Sequence, residues 1–133
     1  MTRIDFLARK KSAERRGRRS EIFAAALLML KGYRILGRRV RTPMGEIDLV
    51  ARSPGGIVCF IEVKARGEER VAVQSVGPRQ QSRIARAASF YLAQKPRLAA
   101  KGVRFDIVTM AQGGLPRHFR DAFRPDDWRS GPA

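Results

Sequence analysis

The stretch that most restricts how this chain can fold runs from Gly45 to Arg66, GEIDLVARSPGGIVCFIEVKAR. It divides into two extended segments, Glu46–Arg52 and Ile57–Arg66, on either side of Pro54-Gly55-Gly56. Proline pre-sets φ at the first turn position and glycine accepts positive φ, so the tripeptide suits a three-residue hairpin loop. Centring the hairpin there sets its register. Ile47 then faces Val63, Leu49 faces Ile61 and Ala51 faces Cys59 on one apolar surface. The other surface carries Glu46 opposite Lys64, Asp48 opposite Glu62, and Val50 opposite Phe60. A four-residue loop would shift the pairing by one and send Asp48 and Glu62 to opposite faces. The apolar pairing favours the three-residue loop.

That register sets two carboxylates directly across a strand pair, where like charges repel by roughly 0.2–1 kcal/mol. A hairpin that only had to be stable gains nothing from it. A divalent cation between Asp48 and Glu62 would turn repulsion into ligation, because hard Mg²⁺ takes carboxylate oxygens and keeps several waters. Lys64 lies on the same face as Glu62, roughly 6–7 Å along the strand. The plainer reading is a solvated face with incidental charges. Val50, Val58 and Phe60 share that face, however, and burying unpaired charge beside them is expensive. The functional reading is therefore preferred.

Asp48, followed after thirteen residues by Glu62-Val63-Lys64, resembles the D-x(n)-(E/D)-x-K core of the PD-(D/E)XK nuclease superfamily. The wider strings Gly45-Glu46-Ile47-Asp48 and Phe60-Ile61-Glu62-Val63-Lys64 resemble a narrower group, the YraN family of small bacterial endonuclease-like proteins. Ile47 stands where the superfamily motif has its proline. Gly17-x-x-Ser20-Glu21 is similar to the family's G-x-x-G-E, whose glutamate faces the metal site. Gln80 stands where the family generally carries a lysine; glutamine can still donate to phosphate but adds no charge. Arg104–Val108 and Asp121-Ala122-Phe123 complete a resemblance that spans residues 17–123.

Lysine and arginine number 28 against 12 acids, a formal charge of +16 on 133 residues. Such a charge destabilises a compact chain through self-repulsion and points to a polyanionic partner. Nucleic acid leads, with an anionic membrane surface second. A single cysteine, Cys59, excludes an internal disulfide and fits a reducing, cytoplasmic setting. A single histidine, His118, leaves little material for Ser-His-Asp or histidine-zinc chemistry.

Residues 1–19 are rich in Arg and Lys and precede the apolar run Ile22–Leu30, which is too short to span a bilayer and lacks a cleavage pattern. The run reads as a helix from about Ser20 to a stop at Gly32, burying Ile22, Phe23, Ala26, Leu27 and Leu30. Tyr33–Arg41 reads as a strand, followed by a turn at Thr42–Gly45 and the hairpin. Gly67–Gly77 reads as a mobile loop at the rim of the site. Pro78 opens a second helix, with Ile84, Ala87, Ala88, Tyr91 and Leu92 at helical spacing and an end before Pro96. Val103–Met110 reads as a buried strand, with Val103, Phe105 and Ile107 facing one way and a structural Asp106 and Val108 the other, and a short last strand runs from Arg117 to end at Asp121-Ala122-Phe123. Residues 124–133 form a tail whose Trp128 either packs back on the body, the preferred reading, or stacks on a base. This order gives a single α/β domain over residues 1–123, a restriction-endonuclease-like α-β-β-β-α-β-β sandwich around a mixed sheet.

The resemblance implies a role for each site residue. Asp48, Glu62 and the Val63 carbonyl would hold Mg²⁺ or Mn²⁺, and Glu21 would act through a metal-bound water. Lys64 would orient or deprotonate the attacking water, with Glu46 tuning it and Gln80 supporting the site. Arg79, Arg83 and Arg86, with Arg15, Arg18 and Arg19, would hold the nucleic-acid backbone. The expected function is metal-dependent hydrolysis of DNA. Branched substrates come first, because small size and arrangement resemble Holliday-junction resolvases; a homodimer is expected only by that analogy. A DNA-binding module without turnover is the second reading. A basic protein that binds RNA or an anionic membrane, without inserting, is the third.

Overall fold

The computed structural model describes residues 2–64, 76–110, 115–126 and 128, and over residues 5–18 only the backbone. The expected element order is present: α1 (Arg3–Leu30), β1 (Arg34–Thr42), β2 (Gly45–Arg52), β3 (Val58–Lys64), α2 (Pro78–Ala93), β4 (Val103–Met110) and β5 (Pro116–Phe119). The strands form one mixed sheet in sequence order, antiparallel except for β3 and β4. A parallel pair needs a crossover, and α2 lies in the connection between β3 and β4.

The hairpin register is the one that the turn dictates. Arg52 pairs with Val58, Ala51 with Cys59, Val50 with Phe60 and Leu49 with Ile61. Ser53 closes the loop: its N–H donates to the Ile57 carbonyl at 2.8 Å, and its hydroxyl accepts from Ile57 N–H at 3.0 Å. Gly56 takes φ +92°, the left-handed residue that a three-residue loop requires.

Each face of the sheet carries its own core. On one, Leu49, Ala51, Cys59, Ile61 and Val108 pack with Ala24, Ala25 and Leu28 of α1. On the other, Val50, Val58, Phe60, Phe105 and Ile107 pack with Ile84, Ala87, Ala88, Tyr91 and Leu92 of α2. The helical spacing of α2 and the alternation of β4 thus read correctly. Trp128 does pack back, edge-on to Phe105 at 5.0 Å.

The first helix departs from expectation twice. It begins at Arg3 instead of near Ser20, so the basic segment is its first half. Its buried line is Ser20, Ala24, Ala25 and Leu28, whereas Ile22 and Phe23 are about half exposed and Leu30 is 87% exposed. Small side chains at four-residue spacing let the helix axis approach the sheet closely, and the bulkier residues are turned outward. Gly32, at φ +86°, ends α1: Tyr33 N–H reaches back to the Leu28 carbonyl and Gly32 N–H to that of Met29.

Ile47 is the second correction. It packs with Val50 and Phe60 on the α2 side, although Leu49, two residues on, belongs to the α1 side. Alternation is broken at Asp48. The last strand also stops at Phe119, short of Asp121–Phe123. The expected loop Gly67–Gly77 lies outside the described residues except for Val76, which is buried in the α2-side core, and Gly77.

Candidate active site

The antiparallel ladder between β2 and β3 stops at Leu49 and Ile61. Hydrogen-bonded pairs alternate along such a ladder, and counting from Ser53–Ile57 the next would have been Ile47–Val63. There the Asp48 carboxylate intervenes, its Oδ2 accepting from Val63 N–H at 2.8 Å. Asp48 therefore caps the ladder, satisfying a donor that the parting strands would otherwise leave unpaired. A strand residue points its N–H and C=O to the same side, so the Val63 carbonyl faces the same gap.

Glu62 follows on β3 with its side chain only 14% exposed. Its Oε1 accepts from Gln80 Nε2 at 2.8 Å and lies 3.5 Å from Lys64 Nζ. Asp48 and Glu62 lie close enough for their charges to act on each other. Burial, then the charge of Glu62, push the Asp48 carboxyl up to about 7, against the lowering effect of Val63 N–H. Burial raises Glu62 as well, opposed chiefly by the Lys64 ammonium. Glu21 comes from α1, close enough for its charge to add to the rise at Asp48, and Arg39 Nε donates to its Oε2 at 2.6 Å.

The structure thus brings Asp48, Glu62, Val63, Lys64, Gln80 and Glu21 together. Glu46 does not join them. The expected pairing with Lys64 is lost because the ladder has already ended, and Glu46 instead faces Arg41 across β1 at 3.9 Å, well exposed. Among the described residues no group of three or more His, Cys, Asp and Glu is arranged to hold a metal. A site here would rest on two carboxylates, a carbonyl and waters, a donor set that suits Mg²⁺. Arg79, Arg83 and Arg86 are exposed on α2, and Arg79, Gln80 and Arg83 line a shallow cleft at its start. Arg83 also lies over the β1–β2 turn, where a Cβ on Gly45 would sit 3.0 Å from its Cδ. Arg19 is exposed; the side chains of Arg15 and Arg18 lie outside the described residues.

A model of the family described as "Uncharacterised protein family UPF0102" matches residues 20–110. The chain belongs to family UPF0102. It is 50% identical over 119 residues to a UPF0102 protein of Rhizobium etli, covering 90% of this chain and 97% of that one. A UPF0102 protein of Parvibaculum lavamentivorans is 48% identical over 114 residues, 86% and 85% of the two chains. One from Rhodopseudomonas palustris is 53% identical over 112 residues, 84% and 85%. The UPF0102 match runs from the last turns of α1 to the end of β4, so it contains Glu21, Asp48, Glu62, Lys64 and Gln80. It leaves out Arg15, Arg18 and Arg19.

Sequence reasoning passed over two arrangements within this UPF0102 chain. Arg39 was one member of a basic run on β1, with no signal of its own. On the α1 face, Asp106 is fully buried and accepts from Arg104 Nε and Nη2 at 2.9 Å and from Asp121 N–H at 2.9 Å. His118 Nε2 completes its shell at 2.7 Å, while Lys31 Nζ contacts Nδ1 of the same ring at 2.7 Å. Burial alone would raise Asp106, but the bonds from His118, Arg104 and Asp121 hold it below the usual carboxylate range. Arg104 also donates to the Tyr33 hydroxyl at 2.6 Å. These contacts tie β4 to β5 and to the end of α1, which is the structural part expected of Asp106.

Proposed function

We propose that this protein is a metal-dependent endonuclease that hydrolyses phosphodiester bonds in DNA in the cytoplasm, with branched DNA as the first candidate substrate. The observation that carries this reading is the partly buried Asp48–Glu62 pair, whose surroundings raise the cost of ionising Asp48 and leave the folded protein with a site that a cation would relieve. Asp48, Glu62 and the Val63 carbonyl would hold Mg²⁺ or Mn²⁺. Bound there, the ion supplies a Lewis acid for the phosphate and a water of lowered pKa.

The remaining parts fall to the chain itself. Gln80 and Lys64 both engage Glu62 Oε1, which orients the carboxylate and leaves Oε2 for a ligand role. The Lys64 ammonium lies on the same face and would orient the attacking water and offset charge on the five-coordinate phosphorus. A water oxygen bonds to phosphorus as the bond to the leaving sugar oxygen breaks; the water's proton goes to solvent, and the leaving oxygen takes one up. Arg79, Arg83 and Arg86 would position the sugar–phosphate backbone without reading sequence.

The test is a cleavage screen over branched, flapped, single-stranded and duplex DNA, with Mg²⁺ and with Mn²⁺. Wild type is expected to cut at least one of these. Glu62→Gln should lose both cleavage and the metal-dependent rise in melting temperature. Lys64→Met should lose cleavage by about 10²-fold or more while keeping the thermal response. A wild type that neither cuts nor responds to metal refutes the reading. A second reading, a binding module without turnover, is favoured by the neutral Gln80 at the position of a family lysine. It predicts salt-sensitive DNA binding with no cleavage under any metal.

A further inference from the structure

The site has a cation that its proposed chemistry has not used. On β1, Arg38 pairs with Leu49 and Val40 with Ile47, so Arg39 lies in the row of Asp48, which lies in the row of Glu62. Arg39 is also one of two non-glycine residues among those described with positive φ, at +50°. Such a conformation costs on the order of 1–3 kcal/mol and persists only where the surroundings enforce it. One turn of strand earlier the pairing slips between Ile35 and Gly37, a bulge of the kind that re-aims side chains. Alternation fails on both strands in this row: Val40, like Ile47, packs on the α2 side, whereas Leu49 packs on the α1 side. The backbone is bent to bring Arg39 to the acids.

The side chain is then fixed by one bond. Its Nε donates to Glu21 Oε2 at 2.6 Å, and the Glu21 side chain is only 12% exposed against 36% for Arg39. That bond, with the charges of Glu21, Glu46 and Asp48 around it, holds Arg39 firmly protonated. The two Nη nitrogens make no hydrogen bond to any described residue. A guanidinium anchored at Nε keeps its Nη donors in a rigid plane that can direct two N–H groups at phosphate oxygens, where an ammonium acts as a point charge.

We propose that Arg39 binds a non-bridging oxygen of the phosphodiester held at Asp48 and Glu62, with Glu21 as the residue that positions it. This rests on the endonuclease reading and adds to it a direct contact that the D…ExK pattern does not contain. It also gives Glu21 a part that needs no metal.

The experiment uses the DNA panel above with natural linkages and with all-Rp or all-Sp phosphorothioate linkages, cut under single-turnover conditions by wild type, Arg39→Lys and Arg39→Gln. Melting temperature with and without Mg²⁺ is measured alongside, to show that each variant folds and retains its metal response. Arg39→Gln is expected to cleave natural DNA about 10²-fold more slowly, with Arg39→Lys intermediate. Sulfur at the contacted oxygen should slow wild type by about tenfold in one diastereomer, and Arg39→Gln should lose that discrimination. A purely structural ion pair would leave it intact. Folded variants that cut at the wild-type rate, or that keep the wild-type thio effect, overturn the assignment of Arg39 and leave the endonuclease reading standing. A wild type that cuts nothing in the panel overturns both.

Discussion

Asp48→Asn is the most informative single change, because it separates the electrostatic cost of the site from its packing. The carboxyl rises from 3.8 to about 7 on folding. At about 1.4 kcal/mol per tenfold change in proton affinity, ionising it in the folded, metal-free protein costs about 4 kcal/mol more than in the unfolded chain. The sign follows from linkage. Between these two values the folded state holds a proton that the unfolded state has released, so stability is greatest below about 4 and falls as pH rises towards 7. Because the Asp48 and Glu62 carboxyls influence each other's ionisation, we take 1–4 kcal/mol as the order of magnitude at pH 8. Asparagine is isosteric and its Oδ1 can still accept from Val63 N–H, so the ladder cap survives the substitution.

Asp48→Asn should therefore melt about 3–12 °C above wild type at pH 8, taking roughly 3 °C per kcal/mol for a chain of this size, with the gap narrowing through pH 5 and closing only below about pH 4. The comparison uses thermal unfolding in the presence of a chelator. Adding Mg²⁺ at about 100 times its dissociation constant should raise wild type by about 2.7 kcal/mol and leave Asp48→Asn unmoved. Asp48→Ala is the counterpart: it strands Val63 N–H and should lose about 1–3 kcal/mol of whatever charge relief it gains. If Asp48→Asn is less stable than wild type at pH 8 and wild type ignores Mg²⁺, the acids are structural and the site is misassigned.

DNA binding should weaken with salt: if about 5 phosphates are neutralised, log K falls against log[salt] with a slope of about −4 to −5. Arg79, Arg83 and Arg86 changed together to Ala should make that slope shallower at unchanged melting temperature; an unchanged affinity would make the α2 stripe a solvated face. Asp106→Ala leaves Arg104 and His118 without their shared acceptor in the interior and should cost about 3–5 kcal/mol in chemical denaturation. A loss below about 1 kcal/mol would show that the network can rearrange around water.

Much of this was legible because turn chemistry and alternation agree in the hairpin. Pro54-Gly55-Gly56 admits one loop length, and only that length pairs Leu49 with Ile61 and Ala51 with Cys59. The position of Asp48 beside Glu62 followed from that agreement. The buried side of α1 was not legible, because periodicity weighs bulk and the sheet demanded small residues. Ile22 and Phe23 outrank Ala24 and Ala25 on any hydrophobic scale, yet close approach needs Ala24, Ala25 and Ser20. The hydrogen bond from Val63 to the Asp48 side chain was beyond reach too, since the ladder could have continued to Glu46 and Lys64 without any change of residue type.

Arg39 shows why such failures gather at the site. A period of two assumes that every residue on a strand is extended, and positive φ at a residue other than glycine violates that assumption with no mark in composition. The violation is matched on β2, where Asp48 leaves its ladder position, so the row across the two strands is irregular at both places. The apolar residues beyond it, Val40 and Ile47, are delivered together to the α2 side and stay buried. The core loses nothing by the break, while Arg39 and Asp48 are released from facing either core. A sheet selected only for stability would have kept the alternation and avoided the strain at Arg39. Its persistence beside two partly buried acids is what the proposed phosphate contact would need: cation and carboxylates at one level, between strands that stay paired on either side of it.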